Sequence, residues 1–290
     1  MRMESASEKK SFGFTVDPNY SGKNLPGWFL MNTYLQRHLQ CSLHFVPHET
    51  FEDGRRAVLQ GGFDLVYANP FDWVQYVTRR DFIPVAKPKE HYDEVLLCSR
   101  RDSALTDVAS LPERIRIASA SDATLVHMVG LFLLDKAEID RARLDFTFTG
   151  SYQSALKSLL QGQVDLAFVF NEVFEGASRI TRESLRIIAQ SDDAFAFHAF
   201  CVSPRMAQFA APLGAVLAAM GHDPAGQRLL QDIGFSGFSP VEEEEVACLT
   251  ALAEEYISGH EAIDLRATSS LQIDDSAFVV AREEPGDGTS

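Results

Sequence analysis

"LQGGFDLVYAN" runs from Leu59 to Asn69, and "LQGQVDLAFVFN" from Leu160 to Asn171. Leu-Gln-Gly, two residues, Asp-Leu and an apolar run are thus written twice, 101 positions apart. Each copy closes an amphipathic stretch, "EDGRRAVLQG" and "QSALKSLLQG", and opens a run rich in β-formers. Gly61 and Gly162 stand where a helix would stop in a left-handed residue, a conformation glycine adopts without a Cβ penalty. The chain therefore carries two similar helix-then-strand units.

Working outward, "SFGFTV" from Ser11 and "SLHFVPH" from Ser42 read as strands around a turn cluster, "DPNYSG", and the helical spacing of "GWFLMNTYLQRHLQ". Asn69 and Pro70 are an N-cap and a first helical residue, so "NPFDWVQYVTRR" starts a helix. "FIPVAKP" and "YDEVLLCSR" follow as strands. The second half repeats the logic: strand "RIRIAS", helix "DATLVHMVGLFLLDKA" capped by Asp122, strand "LDFTFTG", helix "SYQSALKSLLQ" capped near Ser151, strand "VDLAFVF", helix start "NEVFEGASRI", then strands "LRIIAQ" and "FAFHAFCVS". Three helical stretches close the chain: "MAQFAAPLGAVLAAM", "DPAGQRLLQDI" and "VEEEEVACLTALAEEYIS".

Alternating strands and helices imply an α/β fold of two mixed, mostly parallel sheets flanked by helices. A helical last third with no sheet of its own makes the arrangement bilobed. The expected lobes are residues 11–98 with 198–258, and residues 99–197, linked by strands near Leu96–Arg100 and Phe195–Val202. The acidic stretch 259–290 is expected to be a partly disordered tail, with "SAFVVAR" as a strand candidate. Ligands of open α/β sheets bind at the carboxyl ends of strands, so two such lobes predict one cleft between them.

The formal net charge of −15 disfavours nucleic acid and anionic membranes as partners. The apolar helix around "LVHMVGLFLLDKA" is too short to cross a bilayer, so no membrane insertion is expected. The start, "MRMESASEKKSFGF", shows no apolar leader: the sequence as it stands reads as cytoplasmic, or as periplasmic if a leader has been removed. Cys41, Cys98, Cys201 and Cys248 have no paired spacing and read as free thiols. His38, Cys41, His44 and His48 lie close in sequence but meet no standard ligand spacing; no metal and no cofactor is expected. His127 reads as a packing residue on an apolar helix and His198 as a hinge-side candidate.

Five stretches in order carry a family likeness: "FGFTVDP", "LQGGFDLVYANPFDWV", "YDEVLLCSRRDSALTDVASL", "FTGSYQSALKSLLQGQVDLAFV" and "DPAGQRLLQDIGFSGFSPV". The chain resembles, from Phe12 to Tyr256, the phosphate/phosphite/phosphonate-type substrate-binding proteins of ABC transporters, on the type II periplasmic-binding-protein fold. The resemblance implies hinge closure over a small polar ligand, a phosphonate-like anion or a zwitterion, with an ABC permease or a signalling protein as downstream partner. It places the ligand's phosphonyl group at a helix start, on backbone N–H groups and a Ser-Thr-Ser-Gly-like motif. Here that segment is "SASDATLVHM", where Thr124 keeps a hydroxyl and Asp122 brings a negative charge. The resemblance further implies cleft positions for Tyr92, Asn69 and Phe71, for Ser151 and Tyr152 at another helix start, and for Asn171 and Glu172 beside a ligand amino group. Tyr20, in the first turn cluster, is a similar candidate. Solute binding and ligand sensing both fit. The chain has no phosphate-binding Gly-rich loop, nucleophile elbow or metalloprotease helix; a biosynthetic enzyme of the menaquinone- or thiamine-precursor type on the same fold is the alternative.

Overall fold

The computed structural model describes residues 10–192 and 194–260. The expected tail from residue 261, with "SAFVVAR", and residues 1–9 lie outside the described residues. The chain divides into one compact unit through Ala253 and a second from Glu254. Both sheets belong to the first; the described part of the second is the end of one helix.

In chain order the elements are β1 (Ser11–Val16), α1 (Pro18–Lys23), α2 (Leu25–Leu39), β2 (Ser42–Phe45), α3 (Phe51–Leu59), β3 (Leu65–Ala68), α4 (Pro70–Arg80) and β4 (Ile83–Pro88). Then come β5 (Val95–Arg100), β6 (Ile115–Ser119), α5 (Leu125–Lys136), β7 (Leu144–Phe148), α6 (Tyr152–Leu160), β8 (Leu166–Phe170), α7 (Asn171–Gly176), α8 (Arg179–Glu183) and β9 (Leu185–Gln190). The described residues end with β10 (Ala199–Val202), α9 (Ala210–Ala219), α10 (Pro224–Ile233), β11 (Phe238–Pro240) and α11 (Glu243–His260).

One sheet has the order β11-β4-β10-β3-β1-β2, the other β7-β6-β8-β5-β9. Each has a parallel three-strand part, β2-β1-β3 and β7-β6-β8. In each, an antiparallel strand follows, β10 beside β3 and β5 beside β8. These two strands are the ones the chain delivers on crossing between sheets, so the halves share one topology and exchange one strand's origin. The changes of sheet occupy residues 89–94 and 191–198. Val95–Cys98, expected with the first lobe, instead pair with Ala167–Phe170 in the second sheet.

The repeated stretch does the same work twice. α3 and α6 both end at the Leu, and Gly61 and Gly162 follow with φ of 87° and 72°. The Asp after each turn clamps the neighbouring parallel strand in both directions. Asp64 N donates to Gly13 O at 2.9 Å, and Gly13 N donates to the Asp64 carboxylate at 3.3 Å. Asp165 N donates to Arg116 O at 2.8 Å, and Arg116 N to the Asp165 carboxylate at 3.0 Å. A strand-edge amide that would lack a partner is thereby satisfied. The apolar residues after each Asp are fully buried because helices cover both faces.

Local readings need three corrections. "DPNYSG" is a short helix, α1, because Asp17 caps it and Pro18 starts it. Asp122 is not the cap of α5; Thr124 is, its Oγ1 accepting from His127 N at 3.3 Å. The helix expected at "NEVFEGASRI" breaks after Gly176 into α7 and α8, and Ser178 caps the second.

Candidate functional site

The polar residues that converge between the sheets sit where strands end. Asp17 follows β1 and caps α1, accepting from Asn19 N at 2.9 Å. Asn69 follows β3 and caps α4, its Oδ1 accepting from Asp72 N at 3.0 Å. The same amide donates through Nδ2 to Asp17 Oδ2 and Asp72 Oδ2, both at 2.8 Å. Asn69 is thus spent on holding two carboxyl groups together, beyond capping. Arg55 on α3 donates Nε to Asp72, stacks over the Phe71 ring at 5.1 Å, and reaches Ala123 O at 2.7 Å. That last bond joins the two lobes.

The crossovers carry a buried ion pair. Asp93, in the outgoing segment, receives His198 Nδ1 at 2.8 and 3.0 Å on its two oxygens, and His198 lies on the returning segment. Asp93 N also donates to Ala196 O at 2.8 Å, which fastens the two segments to each other. His198 Nε2 lies 3.4 Å from Asp17 Oδ2 and is without a hydrogen-bond partner. Burial opposes the imidazolium, but the hydrogen-bonded carboxylate of Asp93 and the nearby charge of Asp17 outweigh it and push its pKa up to about 10. His198 therefore carries a positive charge at neutral pH. At Asp72 burial raises the carboxyl, opposed by the Arg55 guanidinium.

A second cluster spans the lobes beside the first. Tyr20 OH on α1 donates to Glu172 Oε1 on α7 at 2.7 Å, and Lys23 Nζ lies 3.7 Å from Oε2. His91 Nε2 pairs with the same carboxylate. Burial alone would raise Glu172, yet His91, Tyr20 and Lys23 more than reverse it and hold its pKa at about 2.

Three cavities border these clusters, one of them, about 20 Å³, behind Asp17, Arg55 and Asp72. The inner one, also about 20 Å³, is walled by Asn69, Asp93, Thr124, Tyr152 and His198 among others, and by Leu125 and Val126 at the start of α5. That volume admits about one water molecule. First-turn amides have no partner inside a helix, and among the described residues no bond is formed by those of Leu125 and Val126. Outside it lies a groove of about 680 Å³ between α1 and the α3 start on one side and α6 and α7 on the other.

The residues singled out from sequence fall in different places. Asn69, Thr124 and Tyr152 line the inner cavity, and Ser151, the cap of α6, and Glu172 line the groove. Tyr20 is joined to Glu172 rather than exposed to the cleft. Phe71 is buried beneath Arg55, and Asn171 braces the outgoing crossover through Glu94 N and Tyr92 O, both at 3.3 Å. Tyr92 and Asp122 are not among the residues lining any of these cavities; Asp122 accepts from Ser121 Oγ at 3.2 Å. Sequence reading passed over Asp17, Arg55, Asp72, His91 and Asp93. Asp17 had a local signal, an Asp-Pro pair after a strand. The Arg55–Asp72 pair had none, since only packing of α3 against α4 brings them together.

Over residues 14–246 the sequence matches the family described as "ABC transporter, phosphonate, periplasmic substrate-binding protein". A search of curated proteins gives no match. Among solved structures, a Xanthomonas citri protein bound to chloride ion has a TM-score of 0.73 at 13% identity, with 86% of this chain and 99% of that one covered. PhnD1 from Prochlorococcus marinus in complex with methylphosphonate gives 0.72 at 12% identity, covering 85% and 98%. The periplasmic aliphatic sulphonate binding protein SsuA from Escherichia coli gives 0.66 at 15%, covering 89% and 95%. At such identities the likeness establishes the bilobed fold, and the family match rests on the sequence. No helix among the described residues is long and apolar enough to cross a membrane.

Proposed function

We propose that this chain, which belongs to the family of periplasmic substrate-binding proteins of phosphonate ABC transporters, takes a zwitterionic head group into its inner cavity rather than a simple anion. The observation that carries this reading is the contrast between the cavity's walls. On one side the start of α5 offers the amides of Leu125 and Val126, and the Tyr152 hydroxyl lies nearby. Free N–H groups at a helix start favour an oxyanion. On the other side Asp93 and His198 line the cavity, and only Asp93 among the carboxyl groups faces it. Asn69 in the same wall bonds to Asp17 and Asp72 behind it, with Arg55 on Asp72, so that three carboxyl groups stand against two cations. The excess is one carboxyl group.

A bare phosphonate would meet Asp93 directly, with Asp17 and Asp72 behind Asn69. Two like unit charges 4 Å apart at an effective dielectric of 20 repel by about 4 kcal/mol. An ammonium on the same ligand converts the repulsion into attraction. Entry requires the lobes to part, because a cavity of about 20 Å³ holds no such head group. The crossovers at 89–94 and 191–198 are where the chain bends, and closure restores the bonds between lobes. Delivery to an ABC permease is the downstream role this reading adopts.

Calorimetry with methylphosphonate, 2-aminoethylphosphonate and ethylamine tests it. The aminophosphonate is expected to bind at least about tenfold more tightly than methylphosphonate, the equivalent of about 1.4 kcal/mol. Equal affinities would overturn the charge argument, and silence from all three would overturn head-group binding in this cavity.

A further inference from the structure

The groove outside the inner cavity is far larger than a head group needs. It measures about 680 Å³, against about 20 Å³ inside, and lies in the range of sites that enclose ligands well beyond a few atoms. The two spaces adjoin: Asn19, Phe51 and Phe170 line both. From that junction the groove follows α6. Gln153, Leu156, Lys157 and Leu160 line it and recur at the spacing of one helix face. α6 has nine residues, so the wall is about 13 Å long.

The floor of this groove is apolar. Leu156, Leu160, Phe170 and Val173 belong to the second lobe, and Phe51 faces them from the first. Leu160 is 37% exposed, a large apolar side chain left at the surface within a groove that already collects others. Charges at the rim balance: Lys23 and Lys157 against Glu49 and Glu172, with Lys23 already beside Glu172. Such a rim gives little to a second anionic group, whereas the floor rewards hydrocarbon.

We infer that the ligand is an amphiphile, a charged head in the inner cavity bearing an apolar substituent that lies along α6 over Leu156, Leu160 and Val173. The wall accommodates roughly eight carbons in an extended chain at ordinary bond lengths. The inference rests on the head-group reading above, and the test separates the two.

The test is isothermal titration of the full chain with 1-aminoalkylphosphonates whose substituent grows from methyl to hexyl. Complete burial of a methylene is equivalent to about fourfold in affinity, and half-burial to about twofold. Five added methylenes at about twofold each predict a gain of about thirtyfold from methyl to hexyl. In Leu160→Asp, a change at the groove surface, that gain should fall severalfold. Binding of the methyl member with no gain along the series would overturn the tail groove and leave the head-group reading standing. Absence of binding throughout would remove both. Tighter binding of a nucleoside phosphate than of the hexyl member would also overturn the inference, by assigning the groove to a polar, phosphorylated extension read by Lys23 and Lys157.

Discussion

Replacing Asp93 by asparagine keeps the shape of the outgoing crossover and removes the charge that His198 faces. Both side chains are 3% exposed, so water cannot take over the lost interaction. Breaking one half of a buried pair typically costs about 3–5 kcal/mol, because the survivor stays charged and unpaired. Here the survivor can shed its proton, which sets a ceiling. With a pKa of about 10, deprotonating His198 at pH 7 costs three units, about 4 kcal/mol. Asp17, 3.4 Å from Nε2, keeps part of the stabilisation. The expected loss for Asp93→Asn is therefore about 2–3 kcal/mol. At a urea m-value of roughly 2 kcal/mol/M the midpoint falls by about 1 M.

The pH profile gives a second, independent reading of the same pair. His198 has a folded pKa of about 10, above the ordinary histidine value of 6.5. Its contribution is complete below pH 6.5 and is lost as pH rises through about 10. Urea midpoints of the wild type should decline across that window, and those of Asp93→Asn should decline less. Combining Asp93→Asn with His198→Gln should cost less than the two single changes added together. Additive costs within about 0.5 kcal/mol, or an unchanged pH slope in Asp93→Asn, would refute the coupling.

Arg55→Ala leaves the carboxyl of Asp72, whose side chain is 6% exposed, without its cation, for an expected loss of about 3–5 kcal/mol by chemical denaturation. Arg55→Lys should recover less than half of it, because one ammonium does not reach Asp72 and Ala123 O as the guanidinium fork does; full recovery would refute that role. In Gly130→Ala the new Cβ would lie 2.4 Å from a ring carbon of Phe168, so α5 or the ring must move, at about 1–3 kcal/mol. An unchanged melting temperature would refute the close packing of α5 on β8.

Most of the fold was legible because it is written in short-range patterns. The two Leu-Gln-Gly turns need a left-handed residue, and the apolar runs behind them are long enough to be buried strands. The residues pointed to the two linking stretches, near Leu96–Arg100 and Phe195–Val202, but not to β5 joining the second sheet, since a strand's text does not name its partner. The same limit governed the cleft. Caps such as Asn69 and Ser151 are local and could be named. Pairs such as Arg55–Asp72 and Asp93–His198 depend on packing across 17 and 105 residues of chain. Asp122 misled because an acidic residue near a helix start resembles a cap, while the hydroxyl of Thr124 two positions later holds that place.

The bonds that close the lobes also decide the order in which the two spaces meet a ligand. Tyr20 to Glu172 and Arg55 to Ala123 O both join the lobes, and opening exchanges each for water. A hydrogen bond to a charged group contributes about 1.5–3 kcal/mol net, so two such contacts weight the equilibrium towards closure by several kcal/mol. A head-only ligand that enters the opened form has to offset that whole difference with contacts in one small cavity. The groove along α6 has room for a substituent without lobe movement, whereas the inner cavity measures only about 20 Å³. An apolar substituent settled there holds the head beside Asn19 and Phe51, at the junction of the two spaces, each time the lobes part. The tail then acts as more than added area, because it turns entry of the head into an intramolecular step.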